Sequence, residues 1–173
     1  QSFGSTLRET PSGAALVSHQ LLLKAGFIHP ITPVDYAYLP LALRTLTRIQ
    51  TLLRLEMIAL DGQECQLPFS PVDQDGQTLS AWRVIQQLAD QEIKSYRQLP
   101  RFIFQFTIRP RAHPQSRSGL VDTRAYLSFE GYLFHRNAES RQASFQAIEE
   151  GFFRFFDRCG IAENIQQLGR AHV

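Results

Sequence analysis

Five cationic side chains, Arg109, Arg111, His113, Arg117 and Arg124, fall within sixteen residues, with Asp122 the single acid among them. Cations gathered on one loop neutralise phosphates, and each contact adds salt-dependent affinity, so the cluster points to anion or nucleic-acid contact. The same residues also suit a solvated hairpin tip with Arg109 tied to a neighbouring acid, or a patch met by a protein partner. His19 and His135 have no Cys, Ser or acid at a spacing that marks a catalytic pair, which favours structural histidines. Cys65 and Cys159 make neither a disulfide framework nor a metal centre, and suit a reduced compartment. No catalytic residue, metal ligand or cofactor is assigned.

The chain must hold these groups on a folded scaffold. Its 173 residues are 43% hydrophobic and 20% charged, which suits one globular domain with a sizeable core. The formal net charge of +2 is too small to imply nucleic-acid binding by itself. No apolar run approaches a membrane span. Gln1 is an unusual first residue, which fits removal of a tag, a targeting peptide or part of a longer precursor; the expected location is cytoplasmic, or an organelle matrix if a targeting peptide was removed.

Residues 1–12 read as a polar, extended arm. Ser12 can cap a helix over about 13–24, with Val17, Leu21 and Leu22 on its apolar face. Pro30 and Pro33 mark 29–38 as irregular. Pro40 opens a long helix in which Leu46, Ile49, Leu53, Met57 and Leu60 recur at helical spacing as a buried stripe. A strand over about 64–67 and a Gly-containing loop at 73–77 follow. Thr78 or Ser80 then caps a helix to about residue 96. Phe102, Phe104 and Phe106 alternate along a strand over 101–108. A basic loop spans 110–119, and a second strand over about 123–134 pairs antiparallel with the first. The last helix covers about 138–159, carries Phe145, Ile148, Phe152, Phe155 and Phe156, and stops at Gly160. Its aromatic face belongs to the core, though some rings could seek a partner.

Several blocks carry a resemblance. Leu7-Arg8-Glu9-Thr10-Pro11, Ser18-His19-Gln20-Leu21-Leu22-Leu23-Lys24-Ala25-Gly26-Phe27-Ile28, Tyr36-Ala37-Tyr38-Leu39-Pro40-Leu41 and Gly62-Gln63-Glu64 leading to Pro68 and Pro71 stand in order, followed by Glu92-Ile93-Lys94-Ser95-Tyr96-Arg97-Gln98-Leu99-Pro100 and Tyr132-Leu133-Phe134-His135. This run, from residue 5 to about residue 162, resembles bacterial-type prolyl-tRNA synthetase, a class II aminoacyl-tRNA synthetase. The resemblance implies an α+β fold: part of the class II antiparallel sheet flanked by helices, as one truncated catalytic-type domain over 1–173. The stretch ending at Pro68 and Pro71 looks like motif 1, which builds the dimer interface in that class. Leu46, Ile49, Leu53, Met57, Leu67 and Pro68 are therefore candidate interface residues.

The departures carry as much information. Where the family's motif 2 strand ends in Arg-x-Glu, this chain has Arg109-Pro110-Arg111. The family's Arg grips the α-phosphate of ATP and its Glu helps hold the nucleotide, so Arg111 reverses a charge at that point. Ser80, Ala81, Trp82 and Arg83 stand where the prolyl enzymes place a Thr-x-Glu-Glu-type loop, Ala42 replaces a glycine, and several tens of residues are missing between Pro71 and Leu79. The chain reaches Val173 without motif 3. These features lead to the expectation of a non-catalytic paralogue acting as a structural or binding subunit, with a protein partner in a homodimer or larger complex. The alternative is an accessory factor that contacts tRNA or another structured RNA through the basic loop; a residual ATP-binding or adenylate-forming enzyme ranks below both.

Overall fold

The computed structural model describes residues 3–9, 14–68, 80–111, 113 and 119–165. The chain forms two compact units, residues 1–50 with 106–128 and residues 51–105 with 129–173. The fold is α+β, as the sequence pattern requires.

The first unit begins with the arm, where the Leu7 N–H donates to the Lys24 carbonyl at 2.9 Å. Helix α1 spans Val17–Lys24, later than expected, and Ser12 and Gly13 lie outside the described residues. Its buried face is also rotated from the expected one: His19 and Leu23 point inward, while Val17 and Leu21 are exposed. Residues 28–38 are a second correction. They form an antiparallel hairpin, β1 (Ile28–Thr32) and β2 (Asp35–Tyr38), with an irregularity between Pro30 and Thr32. Each strand of a two-stranded ribbon has one unpaired edge, where a proline's missing N–H does no harm, and Pro33 sits in the turn between the strands.

Helix α2 spans Pro40–Ile58 and opens at the expected proline. Its residues beyond Gln50 belong to the second unit, where Met57, Ile85 and Phe104 are the largest fully buried side chains. The expected stripe holds at Leu53 and Met57 and fails at Ile49, which is 40% exposed. Strand β3 is only Gln63–Glu64. Residues 69–79, including the expected loop at 73–77 and Thr78, lie outside the described residues. Ser80 caps α3 (Ala81–Glu92), its hydroxyl accepting from the Arg83 N–H at 3.3 Å.

Strands β4 (Arg101–Pro110) and β5 (Ala125–Phe134) complete a sheet of order β3-β4-β5. The β3–β4 pair is parallel, with Gln63 opposite Ile103 and Glu64 opposite Phe104. The sheet is therefore mixed, not wholly antiparallel: β3 reaches β4 through a crossover containing α3, the connection that parallel neighbours need. The Arg111 N–H donates to the Arg124 carbonyl, and six residues back along the chain Gln105 meets Glu130, six residues forward of Arg124. That register makes β4 and β5 antiparallel.

Helix α4 (Ala138–Arg158) is capped by Asn137, which accepts from the Ser140 N–H at 2.8 Å, and Gly160 (φ 73°) follows its end. Its rings continue the sheet's aromatic core, with ring centroids 5.7 Å apart for Phe104–Phe129 and 5.7 Å for Phe129–Phe152. Phe155 is buried, whereas Phe145 and Phe153 are exposed.

One ion-paired cluster stands in this second unit. Glu56, 8% exposed, accepts from Arg154 Nε at 2.9 Å and from Arg158 Nη1 at 2.8 Å. The hydrogen bond from Arg154, then that from Arg158, pulls the Glu56 carboxyl below its ordinary pKa against the opposing effect of burial. The folded chain thus binds this proton less readily than the unfolded one. The resulting stability is fully present above the ordinary carboxylate value and is lost as pH falls through the depressed one. Glu56→Gln should lower the stability measured by denaturant at pH 7 by about 1–3 kcal/mol. The gap from the parent protein should shrink below pH of about 4.

Candidate functional site

Alternation along β4 places Gln105, Thr107 and Arg109 on one face, opposite the face that carries Phe102 and Phe104, and Arg111 follows the end of the strand. The register sets Arg109 across from Tyr126 and Arg111 across from Arg124. The first unit thus gathers three of the five expected cations, Arg109, Arg111 and Arg124, at the turn end of the two strands. His113 is exposed beyond β4, and Arg117 lies outside the described residues.

Arg111 is tethered from two directions. Its Nη1 is 3.5 Å from Asp122 Oδ1, and its Cζ lies 4.9 Å from the centre of the Tyr126 ring. Such a contact with an aromatic face adds a modest attraction where water has access. The Arg111 Nε is buried and has no hydrogen-bond partner among the described residues. Arg124 is mostly exposed; its Nε is 3.3 Å from Asp35 Oδ2, which also accepts from the Thr32 hydroxyl at 2.6 Å. The Arg124–Asp35 pair is exposed and contributes about 0–1 kcal/mol, whereas the Arg111–Asp122 pair is half-buried. Sequence reasoning missed Tyr126 and Asp35. Tyr126 was within reach of strand alternation, two residues from Arg124. Asp35 had no local signal, since it lies far from Arg124 in the chain.

In the second unit, Glu130 accepts from Gln105 Nε2 at 3.0 Å and from the Tyr132 hydroxyl at 2.8 Å. Gln105 is buried, and its Oε1 accepts from the Leu67 N–H at 2.9 Å. These bonds give Glu130 a place in a structural network. His135 Nδ1 is 3.1 Å from Ser140 Oγ, and burial, then the charge of Arg141, lowers its pKa. Cys65 and Cys159 are both free, and burial, followed by Glu64, raises the Cys65 thiol. Among the described residues no group of three His, Cys, Asp or Glu could hold a metal ion, and no helix is long and apolar enough to cross a membrane.

The candidate interface residues divide by burial. Leu53, Met57 and Leu67 are interior to the second unit and are unavailable as surface; Leu46 is half-buried, and Ile49 and Pro68 are exposed. The apolar side chains that α2 does expose are Leu41, Leu43, Ile49, Leu55 and Ile58. The second unit also carries an apolar groove of about 450 Å³ between α4 and the sheet, lined by Phe102, Phe129, Leu133, Phe145, Phe152 and Phe156 among others.

No protein-family profile matches the chain. Among curated proteins it is similar to the proline–tRNA ligase of Synechococcus sp. (strain JA-3-3Ab), with 35% identity over 184 aligned positions covering 90% of this chain and 30% of that enzyme. The proline–tRNA ligase of Bacillus subtilis (strain 168) is 33% identical over 181 positions, covering 90% and 32%. Among solved structures, prolyl-tRNA synthetase from Cryptosporidium parvum complexed with halofuginone and AMPPNP matches with a TM-score of 0.66 and 18% identity, over 80% of this chain and 34% of that one. The same enzyme complexed with L-proline and AMP also gives a TM-score of 0.66, at 16% identity. The structural matches establish the fold. In sequence the chain is similar to proline–tRNA ligases over 90% of its own length and spans about a third of the length of the enzymes it matches.

Proposed function

We propose that this chain is a synthetase-like protein without adenylate-forming activity, working as a structural or binding subunit of a homo- or hetero-oligomeric assembly. Arg111 carries this reading. The resemblance calls for an acid at that position, and here a guanidinium lies over Tyr126 and beside Asp122. Adenylate formation needs charge placed to stabilise the transferring centre, and an inverted charge opposes it. The apolar groove beside α4 supports a partner-binding role, because apolar surface of this kind marks interaction sites. The purified chain is expected to give no proline-dependent exchange of pyrophosphate into ATP. Exchange that rises with protein concentration would overturn the reading. Capture from its native source at native concentration should yield a stoichiometric complex; a lone monomer would count against it.

A second reading, contact with tRNA or another structured RNA, is favoured by one arrangement. Arg109, Arg111 and Arg124 share their end of the sheet with Tyr126, which is 40% exposed. Guanidinium planes and aromatic rings together suit unpaired bases as well as phosphates. If this face holds RNA, Arg111→Ala/Arg117→Ala should weaken tRNA retention and make log K against log [salt] shallower by about 1–2. Unchanged affinity and slope would remove the loop from consideration.

A further inference from the structure

His19 is 6% exposed, and neither of its ring nitrogens has a hydrogen-bond partner among the described residues. Burying an imidazole without partners is unfavourable, so its shape must serve some purpose there. The ring meets Tyr36 edge-on, with centroids 5.2 Å apart and planes at 89°. Gly119 also lies against it. A Cβ placed on Gly119 would stand 2.6 Å from His19 Cγ and 2.9 Å from His19 Cβ. Gly119 also has φ +55°, a conformation that side chains rarely adopt. The imidazole therefore fills the space that a side chain at residue 119 would need.

Gly119 opens the 3₁₀ turn Gly119–Asp122, which ends on the acid that faces Arg111. The next residue, Thr123, is buried and donates its hydroxyl hydrogen to the Ala125 carbonyl at 2.6 Å. The Arg124 N–H then donates to the Val34 carbonyl at 3.1 Å. This short segment is seated at one end by His19 and at the other by the β1–β2 hairpin, so Asp122 has little freedom to shift.

We propose that His19 is a positioning residue for the arginine face. Its buried ring seats Gly119, the turn from Gly119 sets Asp122, and Asp122 holds the Arg111 guanidinium over Tyr126. The inference rests on the RNA reading for its purpose, and its geometry can be tested separately.

The Arg111 side-chain protons should show an upfield ring-current shift in NMR spectra of the full chain, assigned by its loss in Tyr126→Leu. His19→Ala and Gly119→Ala should each lose most of that shift while the melt stays cooperative. The double variant should lose less than the sum of the two single ones, because removing the ring relieves its contact with the new methyl, while the contact with the Cβ of residue 19 and the positive φ at residue 119 remain. Asp122→Asn leaves the packing around His19 intact and should lose the shift as well; it decides the matter if His19→Ala does not fold. A full upfield shift in folded His19→Ala or in Asp122→Asn would overturn the proposal. In the same samples, weakened tRNA retention together with the lost shift supports both readings. A lost shift with unchanged tRNA retention upholds the positioning role and sinks the RNA reading.

Discussion

Side-chain alternation along β4 and β5 is the constraint on which the rest depends. One face takes Phe102 and Phe104 into an aromatic core that passes through Phe129 to Phe152. The other takes Gln105 and Arg109, and Arg111 follows the end of the strand. Each buried ring contributes about 1.5–3 kcal/mol. A one-residue slip would send the arginines inward and the rings outward, so the register is strongly fixed. The charge carried at residue 111 can therefore change without disturbing the core.

The polar contacts fall into two energetic classes. Gln105 is buried and spends its amide on the Leu67 N–H and on Glu130, so neither bond can be given up without leaving a buried group unsatisfied. Glu56 is similarly committed to Arg154 and Arg158. These contacts bind elements of the second unit together. The contacts Arg111–Asp122 and Arg124–Asp35, at 3.5 and 3.3 Å, are longer and weaker.

Local patterns were legible where a single physical signal dominated. Pro40 placed the start of α2, Ser80 the cap of α3, the alternating phenylalanines β4, and the aromatic periodicity α4. The β1–β2 hairpin was hidden because its prolines were read as breakers, whereas a two-stranded ribbon has outer edges that tolerate them. The α1 face was misread because a histidine rarely marks a buried position, and here His19 takes one. The residues of the candidate site were legible as a cationic cluster, but their partners were not. Asp35 lies far from Arg124 in sequence, and Glu56 far from Arg154; only tertiary folding joins such pairs.

A cation at residue 111 has a consequence that a neutral residue there would lack. Carboxylates at a nucleotide site hold divalent metal, and the metal carries the phosphate charge; a guanidinium cannot bind the metal but binds phosphate directly. Replacing one by the other removes a group that supports turnover and adds one that supports anion affinity. With Tyr126 beneath the guanidinium and Asp122 beside it, residue 111 carries a positive charge held in one place at the end of one strand.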